Sequence, residues 1–369
     1  MEDMTVSDPF VSIIIVNWNG AAVLERCLEA VFAQTFRDFE VLLVDNASTD
    51  NSIETIENYW PDVKIVRLQT NTGFAAANNV GARTAKGQWL ALLNNDVFPE
   101  SGWLDAMLDA SKKHPDLYFF TSCQIQANAP DKLDGTGDQY NIGGVAWRRQ
   151  IDEPVEHAIQ VIDEVFSACG AAAFYPRDAF LEAGGFDESF FSYLEDVDLG
   201  FRLRLSGYRC LYVPQARVLH IGSASLGKES EFAIYHTLRN MVWIFFRNMP
   251  SPYFWKYLPV HIGMNLGYSF FYGICCCPCI SIRALKDALL GLPLILRQRK
   301  KVQANLQVDP DEVVRMIRRP RKMFGNPLGL LVLIPKAFLA FFRSVRRCRK
   351  QRQEMGKLQN QVGINKVSI

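Results

Sequence analysis

The sequence predicts an α/β fold whose core is a Rossmann-like, mostly parallel sheet with helices on both faces. Three observations predict it. Apolar runs of buried-strand length alternate with segments of helical period through the first quarter of the chain. Each apolar run closes on a short polar turn rich in asparagine and aspartate. The 369 residues are 49% hydrophobic and 21% charged, which supports a large packed core and excludes a disordered chain.

The elements follow in order. "VSIIIVNW" is a continuous apolar run, as a strand buried on both faces requires. Leu24, Cys27, Leu28 and Val31 then recur at i, i+3, i+4, i+7 and mark a helix with one buried face. "FEVLLVD" is a second strand, ending at Asp45; "NASTDNS" supplies capping residues for a helix through about Tyr59. "VKIVRL" is a third strand, "AAANNVGARTA" a short helix, and "QWLALLNND" a fourth strand. This βαβαβαβ order implies parallel pairing through crossover helices. From about Asn128 to Glu164 the pattern weakens around the Gly-rich "GTGDQYNIGG". A helix is expected from about Arg177. Another opens near Glu195, carries Val197, Phe201 and Leu205 at i, i+4, i+8, and stops at Gly207.

The organisation is a catalytic body over 1–230 and a hydrophobic, basic, helical segment over 231–369. The body divides into a first half at about 10–125 and a second at about 126–230. A net charge of +1 hides this asymmetry: Arg297–Lys301, Arg315–Lys322 and Arg343–Arg352 are basic runs, suited to an anionic neighbour, either a membrane or a nucleic acid. Leu258–Ile282 has no Asp, Glu, Lys or Arg, and Leu328–Phe342 is a second apolar stretch broken by Pro335 and Lys336. These allow one or two membrane spans, an interfacial attachment or a buried core. The opening "MEDMTVSDPF" is acidic and polar, which predicts no secretory leader and a cytoplasmic body. Of the nine cysteines, Cys275–Cys279 form "CCCPC" with no second Cys/His pair at zinc spacing, and packing of reduced thiols is the simpler reading.

In sheets of this kind ligands bind outside the carboxyl ends of the strands. Those ends carry Asn17–Gly20, Asp45–Asn46, Asn71–Gly73 and Asn94–Asp96. Asp45 suits a nucleotide contact or a cap for the following turn; a single glycine in "NWNGAA" argues against a dinucleotide fold. Asp96, in "LLNNDVF", suits a hard divalent cation or a plain strand-end turn. Glu195, Asp196 and Asp198 crowd the first turn of their helix. The helix dipole favours their ionised form, although Asp198 also suits an ordinary pair with Arg202. His220, at the end of "CLYVPQARVLH", suits a metal shell or a structural role.

Taken in order, "VSIIIVNWNG", "VLLVDNASTD", "NTGFAAANNVGA", "LALLNNDV", "GAAAFYPRDAFLEAGGFDESFFSYLEDVDLGFRLRLSGY" and "VLHIGSAS" make a set. A chain carrying them resembles family 2 inverting glycosyltransferases, and within these the rhamnosyltransferase-like branch. The resemblance covers about Val11 to Ser225. It implies a GT-A fold, with a C-terminal membrane-associated helical region. It further implies donor-site roles for Asn17, Asp45, Asn71, Gly73, Asn78 and Asn95, and a divalent metal, Mg2+ or Mn2+, held by Asp96 and His220. Asp196 would be the general base, with Glu195 beside it. The implied partners are a nucleotide-sugar donor, dTDP-rhamnose or a UDP-sugar, a lipid-linked or polysaccharide acceptor and a membrane surface at its cytoplasmic face. No nucleic acid is implied. A sugar nucleotidyltransferase and a non-catalytic membrane scaffold are the competing classes. The first would want a basic, Gly-rich phosphate loop, and "NWNGAAVLE" has none.

Overall fold

The computed structural model describes residues 8–115, 117–222, 230–275 and 278–317. The chain begins as the periodicity predicts: β1 (Val11–Asn17), α1 (Leu24–Phe32), β2 (Phe39–Asp45), α2 (Ser52–Tyr59), β3 (Val63–Arg67), α3 (Gly73–Thr84) and β4 (Trp89–Asn94). These four strands are parallel, in the spatial order β3-β2-β1-β4. The buried residues of β1 alternate between two layers. Ile13 and Ile15 pack with Leu24, Cys27, Leu28 and Val31 of α1, and Ile14 packs with Ala75, Ala77 and Ala82 of α3. That is the period-two geometry of a strand covered on both sides. The α3 face is lined by small residues because the helix lies close: a Cβ on Gly81 would stand 2.5 Å from Ile14 Cγ2.

The second half departs from the expected, mostly parallel sheet. It adds β5 (Val97–Pro99), α4 (Trp103–Lys113), β6 (Tyr118–Gln126), β7 (Leu133–Gly135), β8 (Asp138–Tyr140), β9 (Ala146–Arg148), β10 (Asp163–Val165), β11 (Ala172–Pro176), α5 (Arg177–Glu182), α6 (Glu195–Leu205) and β12 (Arg209–His220). β11 inserts between β4 and β6, antiparallel to both, and β12 runs parallel to β6. The sheet is therefore mixed. The reason lies in the connection. Residues 127–171 leave β6 and reach β11 without a crossover helix, and only a crossover could return the chain to run parallel.

Four further helices follow among the described residues: α7 (Glu231–Asn248), α8 (Tyr253–Cys275), α9 (Pro278–Ala304) and α10 (Pro310–Ile317). They do not stand apart from the body. Val197, Phe201 and Leu205 of α6 share one apolar cluster with Phe245, Phe254, Ile295 and Val314, while Leu199 and Leu203 face the sheet. Helix α6 is thus the layer between the sheet and the C-terminal helices. The expected one or two membrane spans are corrected in part: no helix among the described residues is long and apolar enough to cross a membrane. The uncharged run from Leu258 to Ile282 is shared between α8 and α9, and His261 and Asn265 turn one side of α8 into the protein, where both are buried. Leu328–Phe342, the Arg343–Arg352 run, part of Arg315–Lys322 and part of Cys275–Cys279 lie outside the described residues.

Candidate active site

Parallel register brings the polar strand ends to one rim, with Asn17 paired to Asp45 and Val16 to Asn94. β6 and β12 finish on the same rim, where His220 pairs with Gln126 on one side and Val97 on the other. The β4–β5 turn therefore delivers Asp96 to His220. Ile221 N–H donates to the Asp96 carbonyl at 3.1 Å, and His220 Nε2 lies 3.4 Å from Asp96 Oδ1. Above the rim lies a cleft of about 670 Å3, of the size that takes a nucleotide-sized ligand.

Of the residues singled out from the sequence, Asn71, Gly73, Asn95, Asp96, Glu195, Asp196 and His220 line this cleft together. Asn17, Asp45 and Asn78 do not. Asn17 is wholly buried, and its Nδ2 donates to Ser48 and Ser52 while its Oδ1 accepts from Asn95 Nδ2. It ties three rim loops from below. Asp45 Oδ1 accepts from Ser48 N–H, which caps the turn. Asn78 Nδ2 donates to Phe74 O one turn back in its own helix. Strand-end position was legible for Asn17 and Asp45, and Asn78 came from the resemblance alone; the direction of the side chain was legible for none of them.

The first-half rim is braced by Asn46, which the sequence places beside Asp45 at the end of β2. Its Nδ2 donates to Asn71 Oδ1 at 3.0 Å and its Oδ1 accepts from Thr72 N–H at 2.8 Å, fixing the Asn71–Gly73 bend. Gly73 has φ +85°, and a Cβ there would meet Phe191 O at 2.5 Å, so the bend needs glycine. Asn94 lines the cleft and its Oδ1 has no hydrogen-bond partner among the described residues. That leaves an acceptor for a ligand donor.

The start of α6 carries the acids. Asp196 sits at the first turn of α6, its Oδ2 accepting from Gly170 N–H at 2.7 Å and its Oδ1 from Val197 N–H at 2.8 Å. Burial pushes its carboxyl up and these bonds pull it down, with a net rise. Glu195 is pushed well above the carboxylate range by burial and by the Asp196 charge, and its Oε2 has no partner among the described residues. The expected Asp198–Arg202 pair forms, but as a buried one: Asp198 is fully enclosed and also meets Arg247 and Asn248 of α7. The loop before the acids is strained. Phe191, Tyr193 and Leu194 have φ of 64°, 69° and 67°, values that cost non-glycine residues about 1–3 kcal/mol each. Asn240 of α7 holds the loop, donating to the carbonyls of Phe190, Ser192 and Tyr193 at 3.3, 3.1 and 2.7 Å.

Three functional candidates come from the weakly patterned loop: Asp134, Asp138 and Arg148, all lining the cleft. Only "GTGDQYNIGG" hinted at Asp138. Asp134 is buried and its Oδ2 lies 2.7 Å from His220 Nδ1, while Arg148 Nη1 pairs with the same carboxylate. Burial lowers the pKa of His220, yet the bonds to Asp134 and Asp96 outweigh it and the net shift is upward. Two places could hold a metal. Asp138, Cys169 and Asp196 offer ligand atoms within 4.8 Å of one another. There, however, burial pushes the Cys169 thiol up to about 12, and Arg148 already balances the acids. Asp96 and His220 fit a divalent ion better. Their facing atoms are 3.4 Å apart, Asp134 occupies Nδ1, and Nε2 is left toward Asp96.

Comparison with known proteins bears on this arrangement. Residues 12–182 match the model for glycosyl transferase family 2, and residues 157–290 match the model for glycosyl transferase family group 2. The chain is 29% identical over 261 residues to the N-acetylglucosaminyl-diphospho-decaprenol L-rhamnosyltransferase of Mycobacterium tuberculosis, covering 61% of this chain and 80% of that protein. Among solved structures, GalNAc-T7 with UDP, GalNAc and Mn2+ aligns with TM-score 0.55 at 18% identity, over 84% of this chain and 54% of that one. TarS 1-349 of S. aureus aligns with TM-score 0.50 at 16% identity, over 83% and 90%. At such identities these two speak for the fold alone, a mixed GT-A sheet with flanking helices. With the two family models running on from residue 12 to residue 290, the chain belongs to glycosyltransferase family 2, and its likeness lies on the rhamnosyltransferase-like branch.

Proposed function

We propose that the protein is an inverting, metal-dependent glycosyltransferase of cell-envelope glycan synthesis. It moves a sugar, L-rhamnose from dTDP-rhamnose in our reading, from a nucleotide-sugar to a lipid-linked or polysaccharide acceptor at the cytoplasmic face of the membrane. The likeness to the mycobacterial rhamnosyltransferase supports the donor and the lipid-linked acceptor. One observation carries the mechanism: a single cleft is lined by a buried carboxylate held by two backbone N–H groups and by an aspartate–histidine pair.

Asp196 takes the proton of the attacking acceptor hydroxyl as the anomeric carbon changes partners, and a raised pKa brings this base nearer to neutral working pH. Attack opposite the leaving group inverts the anomeric centre, and no second carboxylate is needed as nucleophile. Asp96 and His220 would hold Mg2+ or Mn2+, whose charge offsets that building on the departing nucleoside diphosphate. With an imidazole in the donor set, Mn2+ binds more tightly than Mg2+. Asn71, Asn94 and Asn95 line the same cleft as that pair and would receive the donor nucleotide.

The test is nucleotide release over a panel of dTDP- and UDP-sugars, with membrane lipid extract as acceptor and with or without Mg2+ or Mn2+. Release of dTDP that depends on both metal and lipid supports the reading. Pyrophosphate release from a nucleoside triphosphate would replace it with nucleotidyl transfer. Absence of donor binding with metal present would leave a scaffold.

A further inference from the structure

We propose that the outer faces of α8 and α9 form an in-plane docking surface for a lipid bilayer bearing anionic headgroups, with neither helix crossing it. Most large hydrophobic side chains exposed among the described residues lie on these two helices. On α8, Trp255, Pro259, Ile262, Leu266 and Phe270 recur at i, i+4, i+7, i+11 and i+15, a single stripe along the helix. Trp255 and Phe270 are 72% and 70% exposed. On α9, Ile282 and Leu290 are 69% and 67% exposed. An apolar stripe of this length on a water-facing helix is what an interfacial helix presents to the headgroup–acyl boundary.

The charge pattern selects the occupant. Lys256, Arg283, Lys286, Arg297 and Lys300 flank the apolar positions. The one acid on either helix is Asp287, half-buried and bonded by Tyr235 Oη at 2.7 Å. A second copy of this face would set lysine and arginine against lysine and arginine. Anionic lipid complements them. The inner side of α8 is committed to the protein: His261 Nδ1 lies 2.9 Å from Gly143 O, its ring stacks on Phe245 with centroids 4.0 Å apart, and Asn265 is buried beside it. A helix bound along one flank to a water-soluble body lies on a bilayer instead of entering it.

The attachment has a consequence for the cleft, and this step alone rests on the lipid-linked acceptor proposed above. Gly143 opens the segment that continues into Trp147, Arg148 and Ile151, which line the cleft. Docking through α8 brings that wall beside the bilayer, so an acceptor on a lipid carrier reaches Asp196 without leaving the membrane.

The experiment installs photoreactive benzoylphenylalanine in the full chain in place of Phe270, of Leu290, or of the exposed Tyr59 on α2 as control. Each protein is irradiated with phosphatidylcholine vesicles with and without phosphatidylglycerol. The proposal expects acyl-chain adducts at positions 270 and 290 that increase with phosphatidylglycerol, and none at 59. It also expects Phe270→Glu with Leu290→Glu to weaken vesicle binding about tenfold. Links between two copies, or no lipid adduct from a chain that sediments with the vesicles, would overturn it. Sugar transfer to a water-soluble acceptor is measured in parallel: its loss with adducts intact counts against the enzymatic reading alone.

Discussion

Gly170 donates its backbone N–H to the Asp196 carboxylate at 2.7 Å, and Val197 donates to the other oxygen at 2.8 Å. The carboxylate is thereby fixed in direction at the wall of the cleft. Burial still wins over these bonds, so the pKa lies above that of a free aspartate. The base works when ionised, and ionisation is lost as pH falls through the raised value. The acid limb of kcat/KM is expected above the ordinary carboxylate range. A pH–rate profile measured at saturating metal checks it, and a profile flat down to the range of free aspartate would oppose it.

Glu195 gives a prediction about stability. Its folded pKa is well above its unfolded one, so the folded chain holds the proton more firmly. The favourable state is present at low pH and is lost as pH rises through the folded pKa, where an ionised carboxylate must stay buried with Oε2 unpartnered. Glu195→Gln removes that penalty. We expect Tm of the metal-free protein to rise by about 2–4 °C at neutral pH, with the gain shrinking as pH falls. Thermal melts at several pH values read it.

Asn240 supports the strained loop from a different helix. Asn240→Ala removes the side chain that ties the carbonyls of Phe190, Ser192 and Tyr193 to α7, a loss of about 1–3 kcal/mol. The loop leads straight into Glu195 and Asp196 and also packs on the Gly73 bend through Phe191, so kcat should fall at least about tenfold and the donor Kd should rise with it. Kinetics with calorimetry separate the two.

In the proposed metal site Asp134 would act through His220. With Asp134→Asn the imidazole loses the carboxylate that orients it, and Mn2+ affinity should drop about 10–100-fold. One aspartate and one histidine also make a sparse shell, so Mn2+ should bind weakly to the protein alone and tightly once a nucleoside diphosphate is present. Calorimetry of Mn2+ with and without dTDP tests both statements; tight binding to the empty protein contradicts the second.

The half of the fold built on a strict period was legible in the sequence. β1 to β4 and α1 to α3 fall where buried runs and i, i+3, i+4, i+7 spacing put them, because local burial dictates both. The antiparallel insertion of β11 was not legible, since pairing between β4 and β6 depends on distant partners. Site residues divided in the same way. Asp96, Glu195, Asp196 and His220 sit at or just past the ends of longer elements, which puts them on the cleft, while the roles expected of them came from the family resemblance. Asp134, Asp138 and Arg148 sit on strands of three residues, too short to show a period. Asn17 and Asp45 were visible on the rim and Asn78 was implied by the resemblance, but none of the three lines the cleft.

The central claim is that Asp196 is the base of a sugar transfer, and Asp196→Asn tests it most directly. The amide keeps the shape but cannot take a proton. Single-turnover transfer should fall by about 10²–10⁴, with donor affinity within a few-fold of the parent protein. Transfer retained at the parent rate by a folded, donor-binding Asp196→Asn protein would contradict the account.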